Sequence, residues 1–442
     1  MTAIPRSLVL VLGVDKYVLD ACERHDVEAV VVVGAGQRDY GLQPVPEGMT
    51  VLRVDSVSSP EAVLGALHRS GYAERRFDGV QTSDEWAMVT AGMLAAHLGA
   101  RAIDPVTALY FRDKTLQKRR VREAGVPAAR THVIEDIHDL GDLTELPFAR
   151  AVLKPIAGAA AAMTSMVGDI GRLRALSAKY RGEHTGQRTF ALEEYIPGDE
   201  WVADGVLHDG EVVFCALGRY GVPCMTTIDR ELPLWLRRFD PNDEAWAYEL
   251  GEPVVRRALT ALGLRDGVFH MELFHDAETG TLTFGECAAR RGGALVHEEV
   301  QAKFGVHLGE GALFGALGRK PEIEVKVRPE TIGGTYLMGR PGTLFHCPSP
   351  KDMSALDGVE YVRVESAFGA SLSSAVGSTN VRIAQVLVSA SSEEALLRRF
   401  EELRVWFDER LLIAPSGPMS GLRAWQRENW PDADYRDLPW QS

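Results

Sequence analysis

Glu272 and Glu286 occupy the two halves of the apolar run GVFHMELFHDAETGTLTFGECAARRGG, with the turn formers Asp276, Glu278 and Gly280 between them. A β-hairpin centred on Thr279 places the two glutamates directly opposite each other on one face, Cβ atoms ~4.5–5.5 Å apart, provided no bulge intervenes. Carboxylates that close repel unless a proton or a cation is shared between them. Mg2+, which takes hard oxygen ligands and leaves room for phosphate oxygens, suits such a pair. The alternative is two exposed glutamates on the outer face of an edge hairpin. Arg290 and Arg291, followed by Gly292 and Gly293, weigh toward the metal: forked guanidinium groups and backbone N–H donors suit an anion beside a cation.

Upstream, Lys154 closes an expected strand over 151–155 and opens PIAGAAAAMTS, a small-residue loop that permits close backbone approach to a phosphate chain. The segment LEEYIPGDEW ends a strand at Glu193, Glu194, Tyr195 and Ile196, turns at Pro197 and Gly198, and continues to Glu200. Exposed backbone groups there can read an adenine edge while Glu200 accepts from ribose hydroxyls; taken alone, the segment reads as a hairpin turn. His297, in ALVHEEV, is a candidate for a substrate pocket or a helix surface. Trp201, Tyr220 and Trp235 are candidates to trim a pocket or to fill a core.

The elements that must hold these residues follow from periodicity. With 442 residues the chain is expected to form about three structural units. Buried parallel strands over 8–12 and 29–33 flank a helix over 18–25, the rhythm of βαβ units, and a strand over 77–80 precedes a helix over 84–98 capped by Ser83. Gly34, Gly36 and Gly41 miss the dinucleotide spacing, so NAD binding is not favoured. RDKTLQKRRVREAG, ending at Gly125, reads as a basic helix with a solvated face. A small α+β unit follows, with strands over 151–155 and 189–195 and a helix over 172–180. Strands over 201–207 and 212–218, a helix over 243–262, the hairpin over 268–286 and a glycine-interrupted helix make the centre. After Pro321, strands over 322–327, 358–364 and 383–389 and a helix over 393–407 suggest a separate closing unit, and the residues from Trp425 onward an irregular surface strap.

Composition narrows the class. A net charge of −14 disfavours a general grip on nucleic acid or an anionic membrane. Cys22, Cys215, Cys224, Cys287 and Cys347 are an odd number without a CxxC pair, which points to a reducing cytoplasm rather than a disulfide framework or zinc site. The first apolar run ends at Asp15 without a cleavage pattern, and no stretch is long and apolar enough to span a membrane.

Taken in order, Lys114 in FRDK, Lys154 in VLKP, EEYIPGDE, Glu272 in a strand, and Glu286 with Arg290 in ECAARRGG resemble the ATP-grasp superfamily over roughly residues 80–320. Within it, GGTYLMGRPGTL and the Ser/Gly-rich stretch at 366–379 look most like the L-amino acid ligases that make dipeptides. The resemblance implies an α/β ATP-grasp fold: an N-terminal open α/β domain (1–110), a linking helix (111–127), a lid subdomain (128–195), a central catalytic subdomain (196–320) and a C-terminal α+β subdomain (321–442). It also implies that Lys114 and Lys154 hold ATP phosphates, Glu193–Ile196 the adenine and Glu200 the ribose. Glu272 and Glu286 would bind Mg2+, with Mn2+ as a possible substitute, and Arg290 would steady the acyl-phosphate; Arg291, Gly292, Gly293 and His297 are substrate candidates.

The implied reaction joins a small-molecule carboxylate, expected to be an amino acid, to an amine with release of ADP and phosphate; a homodimer is the family expectation. Two departures stand out. The usual E-x-N reads Glu286-Cys287-Ala288, and the phosphate loop is richer in alanine than in glycine. They motivate one alternative, a nucleotide-binding protein with weakened catalysis. The other alternative is a biotin-carboxylase-like enzyme, against which no biotin-carrier segment is found.

Overall fold

The computed structural model describes residues 6–35, 45–159, 161–230, 232–372, 382–415 and Trp425. Gly36 and Gly41, Ala160 of the phosphate loop, most of the Ser/Gly-rich stretch and the expected strap beyond Trp425 lie outside the described residues. The N-terminal unit is a four-stranded parallel sheet in the order Thr50–Val54, Glu28–Gly34, Leu8–Leu12, Gly79–Thr82. Its inner strands are apolar on both faces because both faces are covered. Leu10 and Val32 pack in a cluster with Val63 and Leu94 of the helices Pro60–Arg69 and Met88–Leu98. Val11 and Val31 pack in another with Val18 of the helix Lys16–Arg24 and Leu313 of the distant helix Leu308–Leu317. The fourth strand lies two residues later than the expected 77–80. Its helix is entered through a 3-10 turn, Glu85–Ala87, capped by Asp84 rather than Ser83, because the Asp84 carboxylate reaches the Trp86 N–H.

Two short helices, Pro105–Arg112 and Lys114–Glu123, stand where one linking helix was expected, with Asp113 capping the second. Its charge run is not wholly a solvated face: Gln117, Lys118 and Val121 are buried. A four-stranded sheet ordered Thr131–Ile134, Phe190–Glu194, Ala151–Pro155, Ser165–Val167, with the helix Ile170–Gly182, forms the small α+β unit.

The central sheet has eight strands, in the order Thr281–Ala288, Gly267–Asp276, Asp199–His208, Glu211–Tyr220, Trp235–Arg238, Thr331–Leu337, Ala384–Ala390, Val359–Val364. The region after Pro321 is therefore not set apart: three of its strands extend the central sheet through the ladder between Trp235–Arg238 and Thr331–Leu337. Among the described residues, Gly342–His346, Ser371–Leu372 and Leu412–Ala414 form a small sheet of their own. The expected strand over 322–327 is not formed: the segment joins no ladder, and its Lys326 N–H donates to the Phe304 carbonyl. The glycine-interrupted helix is two helices, Val296–Phe304 and Leu308–Leu317, the first ending at Gly305 with φ +73°. Among the described residues, no helix is long and apolar enough to cross a membrane.

Candidate active site

The hairpin holds Glu272 directly opposite Glu286, for a reason that differs from the expected one. The turn pairs Asp276 with Thr281, with the Asp276 carboxylate accepting from the Glu278 N–H at 2.9 Å and Gly280 at φ +67°. That register runs as far as Leu273 opposite Phe284 and would set Glu272 against Gly285. A bulge skips Gly285 and restores the glutamate pair. Glycine is required there, since a Cβ would lie 2.8 Å from the Glu272 carbonyl oxygen.

Along the neighbouring strand, Val202 faces Glu272, and alternation puts Glu200, Val202 and Asp204 on the same face as Glu272 and His270. Burial, and then the charges of Glu286 and Glu200, push the Glu272 carboxyl up to about 8. Burial also works to raise Glu286, but Lys114, Lys154 and Lys118 outweigh it and hold that carboxyl well below the usual range. Lys114 and Lys154 each place Nζ 3.4 Å from Glu286 Oε2.

A third lysine, missed in the sequence, completes the cationic side. Lys118 Nζ donates to Glu193 Oε2 at 2.6 Å, and Lys154 Nζ reaches the same oxygen at 2.8 Å. Burial lowers the Lys118 ammonium to about 8 against the pull of Glu193. Burial raises the Glu193 carboxyl, but the two lysines hold it below its ordinary value; its Oε1 is buried and accepts no hydrogen bond among the described residues. The spacing Lys114, Gln117, Lys118, Val121 was the available signal, one face of a helix at i, i+3, i+4 and i+7.

The expected adenine segment borders the same cavity, with two of its backbone donors already used. Glu194 N–H donates to the Arg130 carbonyl and Tyr195 N–H to that of Arg150, so edge reading narrows to Ile196 and the carbonyls. The Glu194 carboxylate is held by Arg130, and the Arg150 guanidinium lies 4.5 Å over the Tyr195 ring. Glu200 accepts from the Cys224 N–H at 2.7 Å, and burial raises its carboxyl despite that bond. In the phosphate loop, Lys114 Nζ donates to the Gly158 carbonyl at 3.0 Å, while Ala161 and Met163 adopt left-handed φ of 54° and 57°. Thr164 also borders the cavity.

Glu85 was not singled out in the sequence, yet it ties three regions together. It accepts from Arg290 Nε at 2.5 Å and from Arg112 Nη1 at 2.7 Å, and Arg112 also donates to the Ala157 carbonyl. Burial works to raise its carboxyl, but Arg290 and Arg112 prevail and lower it. The turn carrying Glu85 reaches the site because Gly79–Thr82 pairs in parallel with Leu8–Leu12, bringing the carboxyl ends of both strands together. Asp15, at the other end, caps the helix Lys16–Arg24 and accepts from Arg291 Nε at 3.1 Å. Arg291 also lies 4.7 Å over the Tyr17 ring, so part of its function is to fix the N-terminal loop.

Gly292 sits on a buried ionic chain. A Cβ there would come 2.8 Å from His270 Nδ1 and 3.0 Å from Asp204 Oδ1. Asp204 accepts from Arg238 at 2.8 Å and contacts His270 Nδ1 at 2.8 Å; Arg238 also donates to Glu299, and His270 Nε2 lies 3.9 Å from Glu272. Gly293 borders the cavity. His297 does not: it is buried, stacked 3.7 Å from Tyr17 and 3.1 Å from Gln301 Oε1, with burial pushing its imidazole down to about 2. Neither a pocket position nor a helix-surface one holds for it, because the N-terminal domain packs over that helix face. Trp201 faces the opposite side of the sheet and belongs to the core, whereas Trp235 packs toward Phe400 and also borders the cavity.

Glu272, Glu286, Lys114, Lys118, Lys154, Arg290 and the adenine segment border one cavity of about 740 Å3. Among the described residues, no group of three His, Cys, Asp or Glu side chains is arranged to hold a metal unaided. The Glu272–Glu286 pair nevertheless fits a divalent cation completed by phosphate oxygens, since its repulsion is what a cation would relieve.

No family model matches the chain. An L-arginine-specific L-amino acid ligase of Bacillus subtilis is 25% identical over 288 residues, 64% of this chain and 68% of that protein. The crystal structure of an L-amino acid ligase from Bacillus licheniformis superposes with a TM-score of 0.73 at 21% identity, covering 94% of this chain and 100% of that one. Carboxyaminoimidazole ribonucleotide synthase from Aspergillus clavatus, solved with ATP, superposes at 0.66 with 14% identity, covering 92% and 99%. The chain has the fold of the ATP-grasp superfamily, and within it is similar to L-amino acid ligases in both sequence and structure.

Proposed function

We propose that the protein is an ATP-dependent carboxylate–amine ligase that activates an amino acid as an acyl-phosphate and joins it to an amine. The observation that carries this reading is the convergence, on one cavity, of a paired carboxylate site, three lysines and Arg290. The relative named as an L-amino acid ligase supports an amino acid as substrate.

Lys114 and Lys154 would leave Glu286 to hold the β- and γ-phosphates, with Lys118 remaining on Glu193 so that Lys154 is free to move. Glu193–Ile196 would line the adenine, and Glu200 would accept from a ribose hydroxyl. Mg2+ held by Glu272 and Glu286 would supply positive charge to the phosphate oxygens when bound. The substrate carboxylate oxygen attacks the γ-phosphorus and ADP leaves. The amine nitrogen then attacks the acyl carbon, the C–O bond to phosphate breaks, and phosphate departs. Arg290, aimed by Glu85, faces the charge that develops on those oxygens. The small sheet bearing Lys154 would cover the intermediate and exclude water.

Purified protein given MgATP and a pool of L-amino acids is expected to release ADP only when amino acids are present, with a product whose mass is that of two reactants less one water. ADP released equally in the amino-acid-free blank, or no ADP at all, would count against the ligase reading.

A further inference from the structure

The loop that carries Arg290 is held at its far end by the outermost strand of the central sheet. It runs from Ala288, the last residue of its strand, to Val296, the first of the following helix. Within it Arg290 Nη1 donates to the Arg291 carbonyl at 2.9 Å, so the guanidinium follows the loop backbone as well as Glu85. Near the end of the loop Ala294 adopts a left-handed φ of 53°. A residue with a Cβ is disfavoured there, and alanine has no polar side chain to offset the strain locally.

The restraint comes from Arg363 in the strand Val359–Val364, whose Nη2 donates to the Ala294 carbonyl at 2.8 Å. Arg363 Nε donates to Glu365 Oε1 at 3.1 Å, and Nη1 lies 3.9 Å from Glu298. Two carboxylates thus aim the planar fork, and a further edge of it holds the loop. Both carboxylates have other partners: Glu365 meets Arg382 and Gln385, and Glu298 accepts from Tyr17.

We propose that Arg363 is a positioning residue for the reaction: by holding the Ala294 carbonyl it keeps the loop in the shape that presents Arg290 to the reacting oxygens. The inference rests on the ligase reading above.

The test measures kcat and the KM for ATP, from amino-acid-dependent ADP release, for wild type and for Arg363→Met alone, with Ala294→Gly, and with Arg290→Ala. Methionine keeps an unbranched apolar stem but brings no donor, and the remaining partners of Glu365 and Glu298 should preserve the fold. Arg363→Met should lower kcat about five- to tenfold, the population equivalent of the left-handed penalty of an alanine. The KM for ATP should stay within about twofold, because Lys114, Lys154 and Glu193 sit on other elements. Adding Ala294→Gly should recover at least about threefold, since glycine enters that conformation freely. In the Arg290→Ala protein the same change at Arg363 should cost less than about twofold, because the group it positions is gone. Arg363→Lys keeps a cationic donor and should retain more of the rate than methionine. Wild-type kcat in Arg363→Met, a loss that glycine does not recover, or the same loss with and without Arg290 overturns the inference and leaves the ligase reading intact. No ADP from wild type with any amino acid overturns both.

Discussion

Replacing Glu286 by glutamine should lower turnover by about 10^3-fold or more, since it removes one of two charged oxygen ligands where several kcal/mol of phosphate charge stabilisation is at stake. The fold should survive. The Glu286 side chain is 30% exposed, the amide is nearly isosteric, and the lysines it faces have other partners: Lys154 keeps Glu193 and Lys114 keeps the Gly158 carbonyl. Loss of the Glu286 charge also relieves the second-largest cause of the raised Glu272 carboxyl. The thermal midpoint is accordingly expected within about 3 °C of wild type. Substrate-dependent ADP release at more than a tenth of the wild-type rate by a folded Glu286→Gln protein would remove Glu286 from the metal site.

Arg290→Ala is expected to cost about 10^2–10^3 in kcat with a smaller change in the KM for ATP, the signature of a group that meets charge formed in the transition state. Glu85→Gln separates aim from charge. It keeps the guanidinium but weakens the 2.5 Å bond that orients it, so about a tenfold loss in kcat is expected. Arg290→Lys should not restore activity, because an ammonium lacks the planar fork that lets one guanidinium edge hold Glu85 while another faces substrate. Wild-type kcat in Arg290→Ala would mean that the arginine serves only to tie the N-terminal domain to the central sheet. Replacing Glu85 by alanine is a poorer probe, since it leaves the buried Arg112 and the partly buried Arg290 without their shared carboxylate and risks the fold.

The paired glutamates were legible because a hairpin has arithmetic, although the answer came out through two departures that cancel: a turn one residue out of step and a bulge at Gly285. Strands with apolar runs were equally legible, as at Leu8–Leu12 and Ala151–Pro155, where burial dictates composition. Lys118 was not, because a polar stripe facing a charged cavity has the same composition as one facing water. Glu85 and Arg290 are 205 residues apart and meet only through the placement of the N-terminal sheet, which leaves no local trace. His297 shows the converse, a residue type that suggests chemistry but lies beneath Tyr17 where no ligand reaches. The C-terminal strands read as a separate unit because strand patterns do not say which sheet edge they will extend.

The central claim is that an amino acid carboxylate attacks ATP. An amino acid labelled with oxygen-18 in both carboxylate oxygens, turned over with unlabelled MgATP, tests it through the mass of the released phosphate. The account predicts that each phosphate formed with product carries an oxygen-18 atom taken from the amino acid. ADP and unlabelled phosphate accompanying product would show that the carboxylate is not phosphorylated, and would contradict it.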